Sequence, residues 1–230
     1  MKNITIAIDG FSSTGKSTLA KQLAKELEYV YVDTGAMYRA VAYFAMQNEF
    51  IGAEFFDKKA LTEALPKIQL EFKFNADLGF AEMYLNGETV EKQIRTIEVS
   101  NFVSKVAEVS EVRSKLVEQQ KEMGKNKAIV MDGRDIGTVV FPDAELKIFM
   151  TASAETRAQR RFDELQQKGD DVSYEDVLKN VVERDYIDTH REDSPLVIAD
   201  DAIEIDNSYL NKEEQFAAVL ELVNDVVKTV

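Results

Sequence analysis

The stretch from Ile4 to Leu27 constrains the fold most. Ile4, Ile6 and Ile8 alternate with Thr5 and Ala7 and leave no wet face, as in a strand buried inside a parallel sheet. Gly10 to Ser17 then match the phosphate-loop pattern G-x-x-x-x-G-K-[ST], and Leu19, Leu23 and Leu27 recur at helical spacing. The pattern therefore lies between a strand and a helix, the context in which it binds phosphate. Gly10 and Gly15 permit the torsions that wrap the backbone N–H groups of Phe11, Ser12, Ser13, Thr14 and Thr18 around an anion. The helix starting at Lys16 adds the positive end of its dipole. The β-phosphate of a nucleoside triphosphate fits this cradle; Lys16 can reach the β and γ oxygens, and the Ser17 hydroxyl is placed to ligate Mg2+ between them. The bland alternative is a glycine-rich turn that binds nothing.

Composition narrows the chemistry. The 230 residues suffice for one large domain or a domain with an insertion. There is no cysteine and one histidine, His190, which excludes disulfides, thiolate metal sites, cysteine nucleophiles and multi-histidine centres. A formal charge of −14 argues against nucleic acid as a partner. No basic and apolar leader opens the chain and no apolar run reaches membrane-spanning length, so a cytoplasmic protein off the membrane is expected. All 9 arginines fall between Arg39 and Arg191. In an acidic chain, that clustering points to a small anionic ligand in a focused pocket, against the alternative of surface ion pairs.

Periodicity predicts an α/β fold: a five-stranded parallel sheet with helices on both faces, plus a small antiparallel β insertion. Further strands are read at Tyr29–Val32, Ala128–Met131, Leu146–Met150 and Ala202–Ile205, and a closing helix from Lys212 to Val227. The helix from Ala36 to Gln47 follows the second strand, so Thr34, Tyr38 and Arg39 are expected beside the phosphate loop, facing a second substrate. Tyr38 also fits plain helix core. A helix is predicted from Glu54 to Leu65, and two more over Thr96–Glu108 and Glu111–Met123, divided at Ser110. Between them Ile68, Leu70, Phe72 and Phe74 alternate with polar residues, and Asn86-Gly87 marks a hairpin. This insertion is either a binding element or a solvated decoration. The third strand ends in Asp132, where such proteins hold the water shell of magnesium.

Two helices follow the fourth strand. Arg157, Arg160 and Arg161 share a face of the first, which breaks at Gly169-Asp-Asp; Ser173 is a plausible N-cap for the second. There Arg184, Asp188 and Arg191 share a face, which at this spacing is either a solvated ion-pair ladder or a site. His190, off that face, reads as a surface residue.

Guanine-reading GTPases carry N-K-x-D; Asn126-Lys127-Ala-Ile and Asn211-Lys212-Glu-Glu do not fit it. The arginines support instead a kinase with an anionic acceptor, since two phosphate groups held in line need several fixed cations. A phosphate acceptor is already nucleophilic at neutral pH and needs no general base. A kinase for another small acceptor and a nucleotide-gated binding module are the competing classes.

Gly10–Thr18, Asp33-Thr-Gly-Ala-Met-Tyr-Arg39, Ile94-Arg95-Thr96, Asp132-Gly-Arg-Asp-Ile-Gly-Thr138 with Val139-Val-Phe-Pro-Asp143, and Arg184-Asp185-x-x-Asp188-x-x-Arg191-x-x-x-Pro195-Leu196 together resemble the bacterial cytidylate kinases of the phosphate-loop nucleoside monophosphate kinase family. The resemblance covers essentially the whole chain. It departs from the family at Phe11, where proline is usual, and at Ser17, where many members have glycine. It implies one kinase domain over residues 1–230, with a monophosphate-binding insertion at about 39–125 and a lid at about 155–174. It implies transfer from ATP, with Mg2+, to CMP or dCMP, by a monomer. Ser12, Arg39 and Arg134 would hold the acceptor phosphate, and Ser104, Arg113 and Asp135 the cytosine edge. Arg184 and Asp188 would contact the ribose side with Arg191 completing the network, while Arg157 and Arg161 would close over ATP. Lys16, Arg134, Arg184 and Asp188 would form the catalytic set.

Overall fold

The computed structural model describes residues 3–77 and 80–229, and the chain divides into two compact units. The first comprises residues up to Val32 and from Met123 onward; the second is Asp33–Glu122.

The first unit is built on a five-stranded sheet. Its strands β1 (Thr5–Gly10), β2 (Val30–Asp33), β6 (Ile129–Asp132), β7 (Leu146–Thr151) and β8 (Ile203–Asp206) lie in the order β2-β6-β1-β7-β8. β1 runs parallel to both its neighbours, with Ile6 opposite Val130 and Leu146, and all six of its residues are buried. A strand flanked on both edges has no solvated side, which is why Ile4 to Ile8 contain no charge. Helix α1 (Lys16–Leu27) turns Leu19, Leu23 and Ala20 into the core formed by Ile4, Ile6, Ile8, Val130, Ile148 and Met150. Each fully buried leucine of this kind contributes about 2 kcal/mol. Val219 and Val223 of α8 (Lys212–Thr229) join the same cluster, with Phe216 and Leu220 partly buried against it, as their spacing predicted. Helices α6 (Ala154–Lys168) and α7 (Tyr174–His190) follow β7. Gly169 ends α6 in the left-handed conformation, and Ser173 caps α7 by accepting from Asp176 N.

The second unit holds helices α2 (Thr34–Gln47), α3 (Lys58–Ala64), α4 (Ile97–Ala107) and α5 (Ser110–Met123), together with the antiparallel strands β3 (Leu70–Asn75), β4 (Phe80–Leu85) and β5 (Glu88–Thr89). Asn86 and Gly87 both have positive φ, at 51° and 88°, as a two-residue hairpin demands. Met83, Leu85, Ile68 and Val90 pack into one core with Met37, Val41, Val103, Val112 and Leu116.

Three expected boundaries are corrected. The helix predicted from Glu54 begins only at Lys58: Asp57 accepts from Ala60 N as its N-cap, and residues 51–56 instead close a loop through an Ile51–Phe56 bridge. Ser110 starts α5 rather than separating two helices. The fifth strand is displaced by one residue, to Ile203–Asp206.

Candidate active site

β1, β6, β7 and β8 all point their carboxyl ends the same way, so the segments after Gly10, Asp132, Thr151 and Asp206 gather at one edge of the sheet, where α/β proteins bind ligands. Gly10 sits at φ 135°, and a Cβ there would lie 1.9 Å from the Met150 carbonyl oxygen, so no other residue fits. Gly15, at φ 96°, caps α1 without a side-chain hydrogen bond, and the first turn has no acidic residue but carries Lys16. A helix start left open and given a cation is arranged for an anion. The loop is braced from inside: Thr14 Oγ1 donates to Phe11 O at 3.0 Å, and Asn207 Nδ2 donates to Thr14 O at 2.6 Å. Ser12 and Ser13 lie side by side with their hydroxyls 3.5 Å apart, and Thr18 N donates to Gly15 O as α1 begins.

Phe11 is accommodated by packing. Its ring meets Phe149 edge-on at 6.0 Å, and the Arg157 guanidinium lies over it at 5.0 Å. Arg157 itself is buried, forks onto Asp185 at 2.9 and 2.6 Å and donates to Ala152 O. It anchors the base of α6 to α7. Arg160 donates to Asn207 O at 2.7 Å, and Arg161 pairs with Glu164 on its own helix at 3.0 Å.

Lys16 is buried. Its ammonium folds back onto Phe11 O and lies 3.4 Å from Thr14 Oγ1. Burial, and next the nearby Arg134 guanidinium, push it down to about 7, while Asp132, Asp9 and Asp188 oppose the fall. Ser17 Oγ donates to Asp132 Oδ2 at 2.9 Å and Tyr31 donates to Asp132 Oδ1 at 2.8 Å. A hydroxyl and a carboxylate oxygen this close suit a hard cation such as Mg2+, which takes one or two protein oxygens and fills its octahedron with phosphate and water.

The solvated-ladder reading of Arg184, Asp188 and Arg191 fails on burial, because Asp188 is only 4% exposed. Asp188 Oδ2 accepts from Arg134 Nε at 2.8 Å, and Arg191 Nη1 stands 3.9 Å from its other oxygen. Burial alone would raise the Asp188 carboxyl, but Arg134, Arg184 and Arg191 together hold it below the usual carboxylate range. Arg134 and Asp135 project from a turn that continues into a short π-helical stretch, Ile136–Val140. His190 is exposed and stacks on Tyr186, as a surface histidine would.

The second unit carries the remaining expected residues. Thr34 opens α2 and is buried; Arg39, a turn on, pairs with Asp33 at 3.0 Å. Asp33 caps α2 through Ala36 N and also accepts from Arg95 at 2.8 Å, and Arg95 in turn grips Glu91. Burial would raise Asp33, but Arg39 and Arg95 hold it far below its ordinary value. Arg113 is 2% exposed, donates to Ala107 O at 3.1 Å and lies 5.6 Å over the Tyr38 ring; Ser104 is buried on α4. The Tyr38 ring packs into the core of this unit. Sequence reasoning missed Asp9, Asp33, Asp185 and Asn207, all of which brace site residues. Acids at strand ends were the available signal for Asp9 and Asp33.

A phosphate loop at the edge of a parallel sheet, with the buried Lys16 in its first helical turn and the buried Arg157 over its Phe11, defines a phosphate-loop phosphotransferase. The cytidylate kinase family model matches residues 6–225, and the chain belongs to that family. It is 95% identical over 228 residues to a cytidylate kinase of Flavobacterium johnsoniae, covering 99% of both chains. It is 71% identical to one of Flavobacterium psychrophilum, covering 98% of this chain and 100% of that one. The crystal structure of an uncharacterized protein from Eubacterium ventriosum aligns at a TM-score of 0.51 and 12% identity over 97% of this chain and 99% of that one, a likeness of fold alone. Among the described residues no helix is long and apolar enough to cross a membrane.

Proposed function

We propose that this kinase transfers the γ-phosphoryl group of ATP to the phosphate of CMP or dCMP. The observation that carries the reading is geometric: the buried Lys16 opens α1 just after β1, and the half-buried Arg134 stands on the turn after β6 that Gly133 N ties to Ile8 O of β1 at 2.9 Å, near enough that its charge helps depress Lys16. Such repulsion is relieved by an anion between them, and phosphoryl transfer places one there. An acceptor phosphate oxygen forms a bond to Pγ as the bond from Pγ to the β–γ bridging oxygen breaks, and ADP leaves with that electron pair. The acceptor phosphate supplies its own nucleophile, so no side chain need take a proton.

In this reading the backbone of Gly10 to Thr18 cradles the ATP phosphates and Lys16 follows the charge onto the transferring group. Ser17, with Asp132 behind it, would hold Mg2+, which would supply neutralisation of the phosphate charge there. Ser12, Arg39 and Arg134 hold the acceptor phosphate. Asp135 accepts from the cytosine exocyclic amine, while Ser104 and Arg113 serve the rest of that edge; uracil presents the opposite pattern and would leave a buried acceptor unpaired. Asp188 receives the sugar side and fixes Arg134, with Arg184 and Arg191 completing the charge balance; Thr34 and Tyr38 line the acceptor side. Residues 39–125 act as the acceptor-binding insertion and residues 155–174 as the lid, with Arg157 and Arg161 on the ATP side. The chain is read as a cytoplasmic monomer acting on free nucleotides, and its net charge of −14 favours small nucleotides over nucleic acid as partners.

A coupled ADP-release assay over CMP, dCMP, UMP, AMP and GMP tests the proposal. Turnover led by the cytidine monophosphates is expected; a purine acceptor used faster than both would overturn it.

A further inference from the structure

The turn that carries Arg134 and Asp135 is pinned to β1 at both ends. Gly133 N donates to Ile8 O at 2.9 Å, extending the β1–β6 pairing past the end of β6. At the far end the Asp9 carboxylate takes two amides at once, Oδ1 accepting from Ile136 N at 2.8 Å and Oδ2 from Gly137 N at 2.7 Å. These are the first amides of the π-helical stretch, so Asp9 caps it from a neighbouring strand, and Asp135 O then accepts from Val139 N and Val140 N. The room behind is full. A Cβ on Gly137 would meet Lys147 Cγ and Cδ at 3.3 and 3.2 Å and Asp9 Oδ2 at 3.4 Å.

We infer that Asp9 is a positioning residue for the acceptor: through Ile136 and Gly137 it fixes where the Arg134 guanidinium and the Asp135 carboxylate stand, and it sets that turn against the phosphate loop that begins one residue later. The inference rests on the reading that Arg134 and Asp135 meet the acceptor. Both segments spring from consecutive residues, Asp9 and Gly10, so donor and acceptor groups are indexed to the same strand end.

A packing role alone accounts poorly for a carboxylate here. Burial pushes Asp9 up to about 6 in spite of the Gly137 and Ile136 amides; Asp135 adds to the rise and Lys16 opposes it. Above about pH 6 the group is charged inside the protein at a cost to stability, a pattern met where geometry serves function. A bidentate anchor fixes both the place and the rotation of the turn, which a single hydrogen bond does not.

Asp9→Asn keeps the shape but sets an amide N–H2 against one of the two backbone donors, releasing one end of the turn. The expected result is a KM for CMP raised about tenfold and a CMP over UMP preference reduced at least about threefold, since a displacement near 1 Å is enough for such losses. KM for ATP should stay within about twofold. Gly137→Ala, which wedges the same turn away from Asp9 and Lys147, should shift the same quantities in the same direction and serves if Asp9→Asn does not fold. Parental CMP kinetics and base preference in the folded variants, or a KM for ATP that rises as much as that for CMP, would overturn the assignment. Arg134→Gln and Asp135→Asn separate the two ways of failing. If they impair CMP use while the Asp9 and Gly137 variants do not, Asp9 alone is refuted. If they too leave KM for CMP and base preference unchanged, the acceptor is held elsewhere and the inference falls with the site reading.

Discussion

Two regions of the molecule treat buried charge in opposite ways. In Asp33–Glu122, Asp33 is flanked by Arg39 and Arg95, and Arg95 by Glu91, so opposite charges meet at 2.6 to 3.0 Å and Asp33 is held ionised. In the phosphate-loop unit, burial drives Lys16 down to about 7 and Asp9 up to about 6, each toward neutrality. One network is balanced by opposite charges at close range; in the other, burial works against the charge of both Lys16 and Asp9. On the proposed reading Asp33 serves the fold while Lys16 is kept ready for a phosphate, and mutation should tell the two apart.

The largest effect is expected at Lys16. Lys16→Ala should lower kcat by about 100-fold or more while changing KM for CMP little, because its charge is met most strongly in the transition state. Stability should hold or rise, since an unfavourably buried ammonium is removed; a variant with near-normal kcat would take Lys16 out of the chemistry.

Next comes Asp188, which is balanced like Asp33 yet lies in the phosphate-loop unit. Asp188→Ala leaves the half-buried Arg134 without its carboxylate, so KM for CMP should rise and kcat fall, each by about tenfold, with ATP affinity much less affected. Thermal denaturation should register a loss of about 3 kcal/mol, the scale of a broken buried pair, against about 0.5 for an exposed ladder. Normal CMP kinetics with only the smaller loss would return Asp188 to a surface role.

Asp33→Asn should act on the fold, costing about 3 kcal/mol in denaturant titration. The sign of its pH dependence is fixed. The native carboxyl titrates below the unfolded value, so its stabilisation is complete above about 4 and is lost as the pH falls through the lower native value. Wild type should therefore lose part of its margin over the variant in acid. A gap between the two that stays constant from neutral pH to pH 3 would show that the arginines do not lower Asp33.

The same contrast marks what the sequence could show. Glycines and alternation act locally, and so the phosphate loop, the Asn86-Gly87 hairpin and the sheet of five strands could be read from spacing. Helix starts were less legible, since an Asp57 cap and an Ile51–Phe56 bridge compete with the apolar rhythm from Glu54. The face of Arg184, Asp188 and Arg191 was ambiguous because the partner that buries it, Arg134, comes from another turn 54 residues away from Asp188. Asp9 escaped notice for the same reason: an acid at a strand end looks alike whether solvated or holding two amides from residues 136 and 137.

The claim that the phosphate-loop charges await a triphosphate is tested most directly by proton uptake. With Lys16 near 7 in the free protein, a bound triphosphate should restore the ammonium to its ordinary range, so binding at pH 8 must take up a proton. ATP is itself fully ionised at that pH and contributes no proton. Calorimetric titration of ATP at pH 8, in buffers of different ionisation enthalpy, should report an uptake approaching one proton per site; the uptake should fade toward pH 6, where Lys16 is already charged, and vanish in Lys16→Ala. Binding at pH 8 with no net proton exchange, or the same exchange in the Lys16 variant, would contradict the account.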